Sequence, residues 1–376
     1  MEFSHTDERR MLQDSLRRYL ADHFAPGQRK AILSEPAGYS KKLWSGLAEL
    51  GVIGALFSEA NGGFGGSGFD LMVVFEEMGR AGAIDPLVET AIMGGGLIAE
   101  LGSDAQKQKL EEIIAGELQV AFAGLEPGGR YDLDQVATRA EPDGDGGVVL
   151  TGAKSVVANA PSADLLLVAA RATDGHERQG IRVYLVAPDA PGVTMRDYDL
   201  TGGGRAAEIT LERAPAERLG DDVPAWPAIE RCAAHATAAI CAEALGLMES
   251  AIDLTLDYMR TRKQFGQPIG KFQALQHRIA DVVIEREQAR SAVINLAGNL
   301  HRDPELRELH VSAAKNLIGR VARLVAEETI QIHGGIAMTQ EYELAHIAKR
   351  LVMIDHRFGD AEHHLERFMR LSRGAA

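Results

Sequence analysis

Along the first third of the chain, apolar positions recur at the helical period. Met11, Leu12, Leu16, Tyr19 and Leu20 fall on one helix face, and Thr6 stands where an N-cap belongs. Lys42–Leu50, Leu71–Gly82 and Asp104–Ala115 continue the same spacing. From about Gln119 the period shortens from 3.6 to 2. Val120–Gly124, Val148–Leu150, Leu165–Ala170, Arg182–Val186, Val193–Arg196 and Glu208–Leu211 are short β-rich runs, parted by Gly, Pro and Asp clusters such as Glu141–Gly147. Helical spacing returns near Pro227 and continues to the C-terminus. The pattern predicts a mostly helical α+β protein. Its three segments are an N-terminal helical domain over 1–118, a central antiparallel β-domain over 119–223 and a C-terminal helical domain over 224–376.

One stretch combines this patterning with candidate chemistry. Tyr258–Asp281 reads as a helix carrying Tyr258, Met259, Arg260 and Arg262 to its end, then a turn broken by Gly266, Pro268 and Gly270. A second helix starts near Phe272 and places Gln273, Gln276, His277 and Asp281 on neighbouring turns. A guanidinium beside a tight loop can grip a phosphate through two parallel hydrogen bonds. An exposed Phe265 with amides nearby suits a flat heterocycle. By contrast, Gly63-x-Gly65-x-x-Gly68 is formally a dinucleotide fingerprint but lacks the βαβ unit that the motif needs. It reads as a flexible turn.

Charge and cysteine content narrow the function. Forty Lys+Arg against fifty-four Asp+Glu give a net charge of −14, which argues against a nucleic-acid surface. Two cysteines, Cys232 and Cys241, make no disulfide framework. No apolar run approaches the roughly 20 residues that span a bilayer, and the N-terminus lacks a signal-peptide core, so a cytoplasmic protein is expected. His346, His356, His363 and His364 lack a carboxylate or cysteine at ligand spacing and read as surface helix histidines rather than a metal site.

The string RKQFGQPIGKFQALQHRIAD closely resembles the matching segment of acyl-CoA dehydrogenases, a family of FAD flavoproteins, and Gln331–Tyr342 (QIHGGIAMTQEY) resembles that family's Gln-x-x-Gly-Gly segment. The resemblance extends over nearly the whole chain. It implies an N-terminal helical domain, a barrel-like β-domain and a C-terminal four-helix bundle. It also implies FAD contacts from Arg262, Gln264, Phe265 and Gln273 to a neighbouring subunit's flavin, with Gln331, Gly334 and Gly335 near its pyrophosphate and adenosine part. The reaction implied is α,β-desaturation of an acyl-CoA thioester, with electrons passed to electron-transfer flavoprotein.

Several positions depart from the family pattern. Where a Thr-Glu-Pro and then a Gly-Ser-Asp are usual, this chain has Leu125-Glu126-Pro127 and no serine. Val156 and Ala158 stand where an aromatic residue and a threonine often pack the flavin ring. Counting from Gln331 to the usual catalytic glutamate lands on Phe358. Glu230-Arg231 resembles the alternative placement in some relatives, but stands too far from Leu245-Gly246. Glu243 instead has apolar or small neighbours at Ala239, Ile240, Gly246 and Leu247, and a buried glutamate is costly unless paired or functional. Glu243 is therefore the expected base, with pairing to a buried arginine or a passive place in an acyl pocket as its alternatives. Glu249 shares a polar stripe with Ser250, Asp253 and Asp257.

The segment from Gln331 to His364 looks most like small subunits of bacterial heteromeric acyl-CoA dehydrogenases, such as the pimeloyl-CoA or sterol side-chain type. A homotetramer or an α2β2 heterotetramer is expected. The alternatives are a non-catalytic partner subunit and a flavin-dependent monooxygenase on the same fold.

Overall fold

The structure, a computed structural model, describes residues 6–24, 26–144, 146–172 and 177–374. Its helices are α1 (Asp7–His23), α2 (Arg29–Leu33), α3 (Lys41–Glu49), α4 (Gly68–Ala81), α5 (Gly96–Leu101), α6 (Asp104–Lys107) and α7 (Lys109–Ile114). Strands follow as β1 (Val120–Ala123), β2 (Arg139–Pro142), β3 (Val148–Ala158), β4 (Leu165–Arg171), β5 (Ile181–Val186), β6 (Val193–Asp199) and β7 (Arg205–Arg218). After α8 (Trp226–Thr261) come β8 (Lys263–Gln264), β9 (Gln267–Pro268), α9 (Gln273–Asn299), α10 (Pro304–His333), α11 (Glu343–Asp355) and α12 (Ala361–Gly374). The mostly helical α+β fold expected from the pattern is present.

Two compact units divide the chain: the described parts of 1–30, 67–83 and 237–376 form one, and those of 31–66 and 84–236 the other. In the first, α1 packs on α4 and α4 packs on α9. Thr6 caps α1 by accepting the Arg9 N–H at 3.3 Å, as the sequence suggests. Ser67 and Asp70 form a capping box on α4. Helices α4 and α8 cross with almost no side chain between them. A Cβ on Gly79 would stand 2.0 Å from the Glu243 carbonyl oxygen, and one on Gly246 would stand 2.0 Å from that of Glu76. Only glycine permits this approach.

The second unit holds a seven-stranded sheet of order β1-β4-β2-β3-β7-β5. An additional β4–β5 pairing closes it, and β6 is added on β7. The sheet is not purely antiparallel, because β1 and β2 both pair parallel with β4. Parallel neighbours need a long crossover, and here β2 and β3 occupy the connection. Leu150, Val157, Leu166, Val168, Tyr184, Ile209 and Leu211 fill the interior. Strand β2, Arg-Ala-Glu-Pro, is mostly exposed and carries no apolar alternation, which explains why the pattern misses it. The turns from Val88 to Gly95 are π-helical, another feature without a periodic signature.

The glycine loop of 62–66 is a packed structure rather than a flexible turn. Gly63, Phe64, Gly65 and Gly66 donate their N–H groups to the carbonyls of Ser58, Gly54, Phe57 and Ala55. A Cβ on Gly65 would stand 2.2 Å from the Ala55 oxygen. These glycines serve backbone-to-backbone contact, and their amides are already spent on carbonyls.

Candidate functional site

The hinge that ends α8 is built by local chemistry. Strands β8 and β9 pair antiparallel, Lys263 with Pro268 and Gln264 with Gln267. The two residues between them, Phe265 and Gly266, take φ of 53° and 79°, the left-handed pair that a tight two-residue hairpin requires. Beyond them the chain folds back: Ile269 N–H donates to the Arg262 carbonyl at 2.9 Å, and Gln276 Nε2 donates to the Gly270 carbonyl at 2.8 Å. Gly270 is needed here, since a Cβ would meet the Met259 oxygen at 2.9 Å.

This geometry presents the predicted side chains outward. Phe265 is 90% exposed, with Phe272 edge-on at 6.0 Å. Arg262, Gln264 and Gln273 are exposed as well. His277 and Asp281 lie exposed on α9.

The second predicted segment meets the first through an aromatic layer. His333, near the end of α10, stacks on Tyr258 of α8 with centroids 4.4 Å apart and planes at 24°. Its Nδ1 donates to the Thr329 carbonyl at 2.8 Å, which leaves Nε2 of the neutral ring to accept from the Tyr342 hydroxyl at 3.1 Å. Burial holds the His333 pKa below the usual imidazole range, against the pull of main-chain carbonyls at Thr329 and Leu254. Gln331, Gly334 and Gly335 are exposed around it. Gly334 has φ 70°, and nothing lies within 4 Å of a Cβ built on either glycine. The backbone there is open to close approach by a ligand. Arg262, Gln264, Phe265, Gln273, Gln331, Gly334 and Gly335 thus stand on two segments joined by one stack. An exposed guanidinium, amide donors, a free aromatic face and uncrowded glycines fit a diphosphate attached to a heterocycle.

Glu243 lies elsewhere on α8, about 28 Å from the hinge at 1.5 Å per residue. It is 3% exposed, and its Oε1 accepts the Arg350 Nε–H of α11 in an ion pair. Close by in the same unit, Arg29 pairs with Glu343 at 2.7 Å. Glu249, on the polar stripe with Ser250, Asp253 and Asp257, does not face solvent. It is 5% exposed and paired with Arg80, Arg286 and Arg290. Arg290 and Arg80 also reach Glu76. The stripe pattern missed this because three of the partners come from α4 and α9.

His364 also departs from the sequence reading: it is buried, and its Nε2 donates to the Phe358 carbonyl at 2.9 Å. Burial, with the Lys315 charge adding to it, pushes its pKa down to about 3. Lys315, wholly buried, donates from Nζ to the carbonyls of Asp355 at 2.8 Å and Gly359 at 2.6 Å. Together they hold the turn in which Phe358 has φ 55° and Gly359 φ 106°. Among the described residues, no group of three or more His, Cys, Asp or Glu could hold a metal ion. Nor is any helix there long and apolar enough to cross a membrane.

In the β unit, a main-chain hydrogen bond joins the segments that carry Leu125 and Val156. The Ser155 N–H donates to the Leu125 carbonyl at 2.9 Å. The next residue, Glu126, accepts from the Ala137 and Thr138 amides and from Lys154 Nζ at 2.6 Å. Burial raises the Glu126 pKa, but Lys154 and the Thr138 hydrogen bonds outweigh it and the net direction is down. Burial brings the Lys154 ammonium to about 8. Val156 is 50% exposed with φ 50°, a strained setting for a β-branched residue, at a bulge between Lys154 and Val157. This surface offers apolar groups and no side-chain hydroxyl at 125 or 156.

The sequence matches family descriptions over almost its full length: "Acyl-CoA dehydrogenase, N-terminal domain" over residues 6–117, "Acyl-CoA dehydrogenase, middle domain" over 121–213 and "Acyl-CoA dehydrogenase, C-terminal domain" over 226–372. A probable acyl-CoA dehydrogenase of Bacillus subtilis (strain 168) is 31% identical over 353 residues, spanning 91% of this chain and 92% of that protein. Among solved structures, a variant of the Tcur3481-Tcur3483 steroid ACAD superposes with a TM-score of 0.88 at 31% identity, covering 98% of this chain and 99% of the other. The ChsE4-ChsE5 complex from Mycobacterium tuberculosis gives a TM-score of 0.88 at 25% identity, covering 99% of each chain.

Proposed function

The chain belongs to the acyl-CoA dehydrogenase family, and we propose that it is an FAD-dependent subunit of an enzyme that desaturates acyl-CoA thioesters between the α and β carbons. Electron-transfer flavoprotein is the proposed electron acceptor. The observation that carries this reading is the outward face joined by the Tyr258–His333 stack. Arg262 supplies the charge for a diphosphate, Gln264, Gln273 and Gln331 supply amides, and Phe265 supplies an apolar plane. Gly334 and Gly335 leave the backbone approachable. When bound, FAD supplies the acceptor for the hydride that leaves the β-carbon.

In this reading Glu243 takes the α-proton. Its burial keeps water away, and Arg350 orients the carboxylate. That same ion pair favours a second reading, in which Glu243 serves packing and a partner chain supplies the base. In that reading the carboxylate is a structural tie between α8 and α11. Phe358 cannot accept a proton, and Leu125 and Val156 offer no hydroxyl to a flavin ring. These absences support an α2β2 assembly with a second acyl-CoA dehydrogenase chain rather than a homotetramer.

Steroid-like or other bulky acyl chains are the proposed substrate class, by similarity to the steroid ACAD. A cytoplasmic location, a role in lipid catabolism and family domains at 1–118, 119–223 and 224–376 complete the proposal. The test is to purify the chain alone and with a co-expressed partner, then count FAD per tetramer. Flavin absorbance bleached by acyl-CoA supports the reading. A colourless protein in both preparations defeats it.

A further inference from the structure

We infer that His333, held between Tyr258 and Tyr342, is a positioning residue that sets the spacing between the hinge at 262–273 and the glycine turn at 334–335, and through that spacing the affinity for FAD. The inference rests on the proposed FAD site and adds residues that the site assignment does not contain.

Three observations carry it. The stack on Tyr258, at 4.4 Å and 24°, lies one helical turn before Arg262 on one side and directly before Gly334 on the other. The ring cannot rotate within the stack without cost, because Nδ1 is bound to the Thr329 carbonyl and Nε2 to the Tyr342 hydroxyl. Tyr342 is in turn tied to the segment that follows the glycines: its ring lies 5.3 Å from that of His333, and its N–H donates to the Thr339 carbonyl at 3.4 Å. A Cβ built on either glycine would meet nothing within 4 Å, so no side chain crowds this turn. The aromatic layer is the contact nearest to both exposed segments, and it adds to the packing of α9 on α10, where Arg278 pairs with Glu328 at 2.6 Å. Were Arg262 and the Gly334–Gly335 backbone to hold one diphosphate, their separation would have to be kept, since a bidentate contact tolerates little displacement.

The full-length protein is titrated with FAD, and apo unfolding temperature and amide exchange at 262–272 are measured in parallel. Tyr342→Phe, which removes one hydroxyl, raises the FAD Kd about 5-fold. His333→Phe keeps a ring but loses both hydrogen bonds, and raises Kd about 10-fold with faster exchange in the hinge. Tyr258→Leu behaves likewise, and the conservative Tyr258→Phe recovers affinity. Variants that lower the unfolding temperature while Kd and hinge exchange stay at wild-type values overturn the inference and leave the FAD site standing. Wild-type protein that binds no FAD, alone or with its partner, overturns both.

Discussion

Lys315 Nζ donates to the Gly359 carbonyl at 2.6 Å from a position with no solvent exposure. A second donation, to the Asp355 carbonyl, makes this lysine a tie between α10 and the turn after α11. Burial lowers its pKa, and the structure retains it because two carbonyls would otherwise lack these donors. Lys315→Met keeps the apolar stem and removes both donations. It should cost about 2 kcal/mol, read as a lower denaturation midpoint. An unchanged midpoint would show that the turn holds without the lysine.

His364 grips the same turn and makes stability depend on pH. Its folded pKa, about 3, lies below the ordinary imidazole value of about 6.5, so the unfolded chain binds the proton first on acidification. The contribution is complete above pH 6.5 and shrinks as pH falls toward 3. Between pH 7 and pH 5 this group should remove about 2 kcal/mol. His364→Gln, which retains an N–H for the Phe358 carbonyl, should show a flatter profile in urea melts at the two pH values. Equal slopes would place the acid sensitivity elsewhere.

The Glu243–Arg350 pair separates the two functional readings. If Glu243 is the base, Glu243→Gln lowers kcat by about 10² or more while the protein stays folded, because the amide preserves shape. If the pair serves packing, the loss appears as about 3 kcal/mol of stability with turnover preserved. Rates and melting curves on one preparation decide between them.

Arg262 should not tolerate lysine. Its planar fork can bind two phosphate oxygens at once, whereas an ammonium acts as a point charge. Arg262→Lys should weaken FAD binding about 10-fold and Arg262→Ala further, with little change in apo stability because the side chain is exposed. Equal affinity across the three proteins would remove Arg262 from the site.

Gly79 tests the helix crossing. A methyl group 2.0 Å from the Glu243 oxygen cannot be accommodated unless α4 and α8 move apart. Gly79→Ala should destabilise by about 3 kcal/mol despite its higher helix propensity. A stabilised variant would mean that the crossing yields.

The features legible in advance share one property: their determinants are close in sequence. The hinge was readable because Gly266, Pro268 and Gly270 follow a helix within a few residues, and Thr6 was readable as a cap because its partner is Arg9. Strand β2 was missed because its pairing with β3 and β4, not its own composition, makes it a strand. The burial of Glu249 and of His364, which reads as a surface histidine, has no local signature because their partners, Arg80 and Arg290 for one and Phe358 and Ser312 for the other, are set by helix packing.

By itself, the order of residues determined the succession of helix, sheet and helix, the exposed hinge and the family. Each depends on periodicity, turn chemistry or a long contiguous string. Only the tertiary structure decided that Glu243 meets Arg350, that the glycines at 62–66 have no amide to spare, and that His333 links the hinge to the turn at 334–335. Those outcomes depend on which distant groups share a buried space. There a charge or hydrogen-bond donor must find its partner among whatever the packing brings near.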